Sequence, residues 1–328
     1  MVVKPAKDAQ RHYSRRYRDA ERYERARSAA ASFAASRPEA LESVERVVCF
    51  VGWPRSGHTL VGATLDAHRD MVVAHELDIL HHVQAGVSRS ELYAMAMLRS
   101  AEFTELGHQW MGRDYTVPGG AQGATDRPRV IGDKKGGATA RRLAKDPELL
   151  SRLESLVGVP VHVVTVVRDP IDAINSDLAH RMAGGKRADR DAATERFFTN
   201  ADAVSKLTEH HAPDRHSFVS YEDFVADPSR EIAALCASLG VTTDDAYLDA
   251  CAGVVRPQPE RPSEQNEWSK AIRDRASSYP FLRRREKGPR GALSNAGERS
   301  RTSTGFPPIA PEAIASAIPP HPQNGPQR

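Results

Sequence analysis

The stretch RVVCFVGWPRSGHTLVGATLDAH, Arg46 to His68, constrains the fold more than any other part of the chain. It opens with a valine-rich apolar run ending at Gly52, which reads as a strand buried on both faces. Leu60, Ala63 and Leu65 then recur at helical spacing without a break. A buried strand that delivers a glycine-bounded loop straight onto a helix N-terminus is a building block of α/β architectures. The loop reads G-x-x-x-x-G-x-T over Gly52–Thr59, a phosphate-loop spacing with His58 where a nucleotide-binding lysine is expected. Backbone N–H groups of Ser56, Gly57, His58 and Thr59 would face an anion there, reinforced by the helix dipole. The Thr59 hydroxyl adds a donor, and Arg55 supplies a cation inside the loop. An imidazole at 58 is expected to make phosphate binding sensitive to pH.

The rest of the chain repeats the alternation. MVVAHE (71–76), VIGDKK (130–135), PVHVVTVVRD (160–169) and HSFVSYEDF (216–224) read as strands. Helical patterns cover much of 78–111, 139–156 with a break near Pro147, 170–182 with Pro170 in the first turn, 190–211, and 227–239 closed by Gly240. Residues 115–129 read as a loop. Strands alternating with helices predict an α/β fold with a mainly parallel central sheet flanked by helices. Ligands of such sheets sit at the carboxyl ends of the strands, where segments 52–59, 132–135 and 168–176 all begin.

Three regions are expected. Residues 1–43 read as a charged N-terminal helical extension, with an Arg-, Glu- and Ala-rich helix over 8 to about 35. Residues 44–283 form the main domain. Residues 284–328, basic and rich in Pro and Gly, read as a disordered tail. The net charge of +3 over 328 residues gives no reason to expect a nucleic-acid partner. No apolar run approaches the roughly 18 residues of a membrane span, and the N-terminus lacks the apolar stretch of a secretory signal. A cytoplasmic protein with no membrane partner is expected. Cys49, Cys236 and Cys251 lack C-x-x-C spacing and read as reduced, buried thiols.

The second informative stretch is RDPIDAINS, which puts Arg168 at the end of the longest strand and Ser176 two helical turns on. A guanidinium fork and a hydroxyl at that spacing suit one phosphate. Two other readings stand beside it: a Walker B strand with Asp169 on Mg²⁺, and an Arg–Asp pair that caps the helix. HELDILHH approximates the H-E-x-x-H zinc motif, but Ile79 stands where the second histidine is required, so no metal is expected.

Taken in order, PRSGHTLVGATLDAH, GDKK, RDPIDAINS and SYEDFVADP resemble the motifs of the PAPS-dependent sulfotransferase superfamily, whose fold is of the P-loop NTPase type. EWSKAIRDRASSYPFLRR is similar to the terminal segment of many bacterial members, so the likeness runs over about 46–283. In style the first motif, with a glutamate soon after it, is nearest to tyrosylprotein sulfotransferases. The resemblance implies that Arg55 and the Ser56–Thr59 amides hold the 5′-phosphosulfate. Arg168 and Ser176 would hold the 3′-phosphate, Tyr221 would lie near the adenine, and Lys134 would steady the transferring sulfuryl group. His58 departs from the Thr or Ser usual in the family.

Glu76 matches the catalytic glutamate of the tyrosylprotein type and is the candidate general base, the other reading being a cap on the helix that starts near Asp78. The expected activity is transfer of a sulfuryl group from PAPS to a hydroxyl, on a small metabolite rather than a protein. Against it stand a P-loop kinase or NTPase with a degenerate loop and a non-catalytic scaffold that uses the basic ends. Segments 77–125 and 178–215, which would form the acceptor side, carry no motif, so the residues name neither an acceptor nor an oligomeric state.

Overall fold

A computed structural model describes residue 13, residues 19–256 and residues 267–283. The expected tail, 284–328, and most of the first turns of the N-terminal helix lie outside the described residues.

The central sheet has five parallel strands. These are β1 (Arg46–Phe50), β2 (Met71–Ala74), β5 (Val130–Asp133), β6 (Val161–Val167) and β7 (His216–Ser220), in the order β2-β5-β1-β6-β7. β3 (Gln109–Trp110) and β4 (Arg113–Asp114) form a separate antiparallel hairpin. β1, β2, β5 and β6 are rich in buried valine because both faces of the sheet are covered there, whereas the edge strand β7 is only partly buried. Val47, Cys49 and Val163 point into one core with the helices Arg89–Glu105, Gly136–Lys145 and Arg190–His210. Val48, Phe50 and Val164 point into the other with His58–Asp66 and Pro228–Ser238. All three cysteines are buried and free. Among the described residues no helix is long and apolar enough to cross a membrane.

Most boundaries follow local chemistry. Lys145 ends one helix and Leu149 begins the next, so the break at Pro147 is real. Pro170 occupies the first turn of Pro170–Ala183, and the Asp169 carboxylate caps that helix by accepting the amides of Ile171 and Asp172. The last strand is shorter than the expected 216–224: Ser220 accepts the Asp223 amide at 3.1 Å and caps the helix Tyr221–Ala226.

The connection from β5 to β6 crosses β1 in the sheet order, so the chain switches direction at the end of β1. A crevice opens there, the usual ligand position in such sheets.

Candidate active site

The crevice is a cleft of about 540 Å³. Its floor is the loop between β1 and the helix His58–Asp66. Gly57 has φ 108°, and a Cβ there would collide with the Tyr221 ring, so both the turn and the close approach require glycine. The amides of Gly57, His58 and Thr59, all of which line the cleft, find no hydrogen-bond partner among the described residues, leaving a set of donors at a helix N-terminus. The Ser56 hydroxyl donates to the Trp53 carbonyl at 3.1 Å, so that side chain braces the loop from beneath, and Ser56 itself is fully buried and does not line the cleft. Thr59 lines the same cleft.

Arg55, Arg168, Ser176 and Tyr221 come together around this loop. Arg55 Nε donates to Ser176 Oγ at 3.1 Å, and Arg168 Nη1 donates to the Arg55 carbonyl at 3.0 Å. The buried Arg168 guanidinium also lies 4.9 Å from the Tyr221 ring centre. Burial pushes the Arg55 pKa down, and the nearby positive Arg113 and Arg168 add to it while Tyr115 opposes. Cations gathered this closely suit an anionic ligand. Asp169, the carboxylate that a Walker B reading needs for Mg²⁺, is engaged as the helix cap described above.

Glu76 follows β2 with φ 61°, and its carboxylate is 21% exposed. It pairs with Lys134 at 2.5 Å and with Lys135 on its other oxygen. Burial pushes the Glu76 pKa up, but the two ammonium groups outweigh it and hold the acid well below the usual carboxylate range. Lys134, almost fully buried, is itself pushed down by burial, with Glu76 working the other way. Glu76 does not cap the following helix Ile79–Gln84. That role falls to Asp133, which accepts the Leu77, Asp78 and Ile79 amides.

His58 is the correction. Its ring is buried, edge-on to Phe50 at 5.8 Å, in space left open by Gly52 and Gly136, and its Nε2 has no partner. Burial, helped by Lys134, pushes its pKa to about 3. The imidazole is therefore neutral across ordinary pH, against the pH-sensitive loop expected from the sequence. His75 also turns inward, stacked 3.9 Å from Phe103. His82 bonds the Leu77 carbonyl and the Tyr23 hydroxyl, and Asp78 pairs with Arg142.

Sequence reasoning missed two contributors. Lys135 is the second ammonium on Glu76; the doubled lysine of GDKK was its only signal. The β3–β4 hairpin overhangs the cleft, with Met111 Sδ 3.4 Å from Arg55 Nη1. Its two-residue turn has φ 52° at Met111 and 77° at Gly112, and Gly112 was the only cue.

A family model described as "Sulfotransferase family" matches residues 48–245. Among solved structures the chain is similar to the sulfotransferase domain of the Synechococcus PCC 7002 olefin synthase, at 19% identity and TM-score 0.44, over 71% of this chain and 95% of that one. It is also similar to the sulfotransferase STF9 of Mycobacterium avium, at 11% identity and TM-score 0.46, over 78% and 82%. A third likeness is to a mouse sulfotransferase, SULT7A1, complexed with PAP, at 16% identity and TM-score 0.36, over 69% and 71%. No curated protein matches the chain.

Proposed function

The chain belongs to the sulfotransferase family, and we propose that it moves the sulfuryl group of PAPS to the hydroxyl of a small acceptor, with Glu76 as general base. The observation that carries this reading is one arrangement in one cleft. The Glu76 carboxylate, paired to Lys134 and Lys135, shares that cleft with the glycine loop, Arg55 and Arg168. The residues fit a nucleotide with a second phosphate. The glycine cradle and the partnerless amides of Gly57, His58 and Thr59 suit the 5′ group, and Arg168 with Ser176 suits the 3′-phosphate.

PAPS, when bound, supplies an activated sulfuryl group. Every other part of the chemistry belongs to this chain. The loop amides and Arg55 neutralise charge on the 5′ side. Lys134 stabilises charge that develops on the oxygen left behind. Glu76 accepts the proton of the attacking hydroxyl. Its low pKa keeps it ionised at neutral pH but makes it a weak base while both lysines hold it. An anion that draws Lys134 away raises the basicity of Glu76, so the carboxylate becomes a competent base once the donor site is filled. The base assignment draws its support from this pairing and from the likeness of the surrounding sequence to tyrosylprotein sulfotransferases. No residue of the proposed mechanism calls for a metal.

Calorimetric titration with PAP and with ADP tests the cofactor class. The reading expects PAP to bind more tightly and without Mg²⁺. Tighter, Mg²⁺-dependent ADP binding would return the chain to the kinase alternative.

A further inference from the structure

The segment that carries Glu76 is held in a shape its residues do not favour. Glu76 and Asp78 both have left-handed φ, 61° and 68°. Side chains with a Cβ seldom adopt that region unless the surroundings impose it, and such positions cluster at functional sites. Here the surroundings are specific. The Asp133 carboxylate, fully buried at the end of β5, accepts the amides of Leu77 at 2.9 Å, Asp78 at 2.8 Å and Ile79 at 2.9 Å. Arg142 forks onto the Asp78 carboxylate at 2.8 and 2.9 Å. On the other side, the His75 carbonyl accepts from Arg99 Nε at 3.2 Å and from the Tyr13 hydroxyl.

β2 and β5 are neighbours, with Ala74 opposite Asp133, and the Lys134 amide donates to the Ala74 carbonyl at 3.0 Å. Residues 133–135 therefore grip the Glu76 segment twice, through its backbone by Asp133 and through its side chain by Lys134 and Lys135. A buried carboxylate here is a costly choice. Burial pushes the acid up to about 7, the Ile79 amide pulling the other way, and Asp78 and Glu76 add negative charge nearby. An apolar residue would pack at this position but could not gather three amides.

We infer that Asp133 is a positioning residue for transfer: its carboxylate sets the left-handed backbone of residues 76–78 and thereby aims the Glu76 carboxylate at the acceptor. This rests on Glu76 as the base.

The test compares Asp133→Asn, Glu76→Gln and the double variant in the full chain. Turnover is read as PAP released from PAPS with a panel of simple phenols and alcohols, PAP affinity by calorimetry, and geometry by a crystal structure of Asp133→Asn. An asparagine keeps one acceptor oxygen and turns an NH₂ toward an amide. A displacement of about 1 Å can cost on the order of 100-fold in rate, so Asp133→Asn should lose about that much in kcat with PAP affinity retained. In the Glu76→Gln background the same change should cost nothing further, because the group it aims is already gone. Wild-type kcat in Asp133→Asn, or unaltered φ at 76 and 78, overturns the inference. An equal further loss in the double variant also overturns it, since that marks general damage. Full turnover in Glu76→Gln sinks the base assignment instead. Should Asp133→Asn not fold, Arg142→Gln perturbs the same segment from a half-exposed side chain. It should lower kcat about 10-fold, again only when Glu76 is present, and an unchanged kcat overturns the inference.

Discussion

Glu76→Gln separates the two roles of this carboxylate, proton acceptor and counter-ion of a buried lysine. The substitution keeps the shape and removes the charge. Lys134 Nζ lies 2.5 Å from Glu76 Oε1, and the lysine side chain is only 4% exposed. A hydrogen bond between charged groups contributes about 1.5–3 kcal/mol. Glu76 retains 21% exposure, so solvent screening brings the expected loss of stability to about 2 kcal/mol. For a domain of this size that lowers Tm by about 4–8 °C. PAP should bind no more weakly than in the wild type, because Lys134 no longer has to leave a carboxylate to meet an anion. Loss of a general base should lower turnover at least about 100-fold. The assay is differential scanning calorimetry and PAP titration beside turnover of PAPS with the phenol and alcohol panel. Turnover that survives while Tm falls would refute the base role and leave Glu76 a counter-ion. A parallel collapse of PAP affinity and turnover would refute the competition between Glu76 and anion for Lys134.

Two further outcomes follow from the same geometry. Arg168→Ala should weaken PAP about 30-fold or more, the usual scale for removing one side of a buried charge contact, and weaken adenosine 5′-phosphosulfate far less. Equal losses for both ligands in calorimetry would contradict the 3′-phosphate assignment. The neutral, buried His58 should shape acid stability. Its folded pKa of about 3 lies below the ordinary 6.5, so the unfolded chain binds the extra proton between those values and stability falls as pH drops from about 6.5 toward 3. The stability difference between wild type and His58→Asn, followed by urea unfolding from pH 7 to pH 4, should therefore shift against the wild type on acidification. A pH-independent difference would refute the buried neutral imidazole.

What could be read from the residues alone was decided by burial and by local chemistry. The strands at 46–50, 71–74, 130–133 and 161–167 announce themselves because both sheet faces are covered and most positions are apolar, with valine prevailing. The loop, Arg168 and Ser176 were legible because each lies at a fixed offset from a strand end. The strand expected over His216–Phe224 ends at Ser220, where the hydroxyl caps a helix that takes up Tyr221, Glu222, Asp223 and Phe224. The charge of His58 could not be read, because it depends on a pocket made by Gly52, Gly136 and Phe50, residues that are distant in sequence or silent in composition. Asp133 was hidden for the same reason. Its reach to Leu77, Asp78 and Ile79 exists only because β2 and β5 lie side by side with Ala74 opposite Asp133. A one-residue slip in that register would turn the carboxylate to the other face and release the segment that carries Glu76. The motif GDKK thus combines two functions that no spacing rule separates: its aspartate shapes the backbone of the proposed base, and its lysines hold that base's charge.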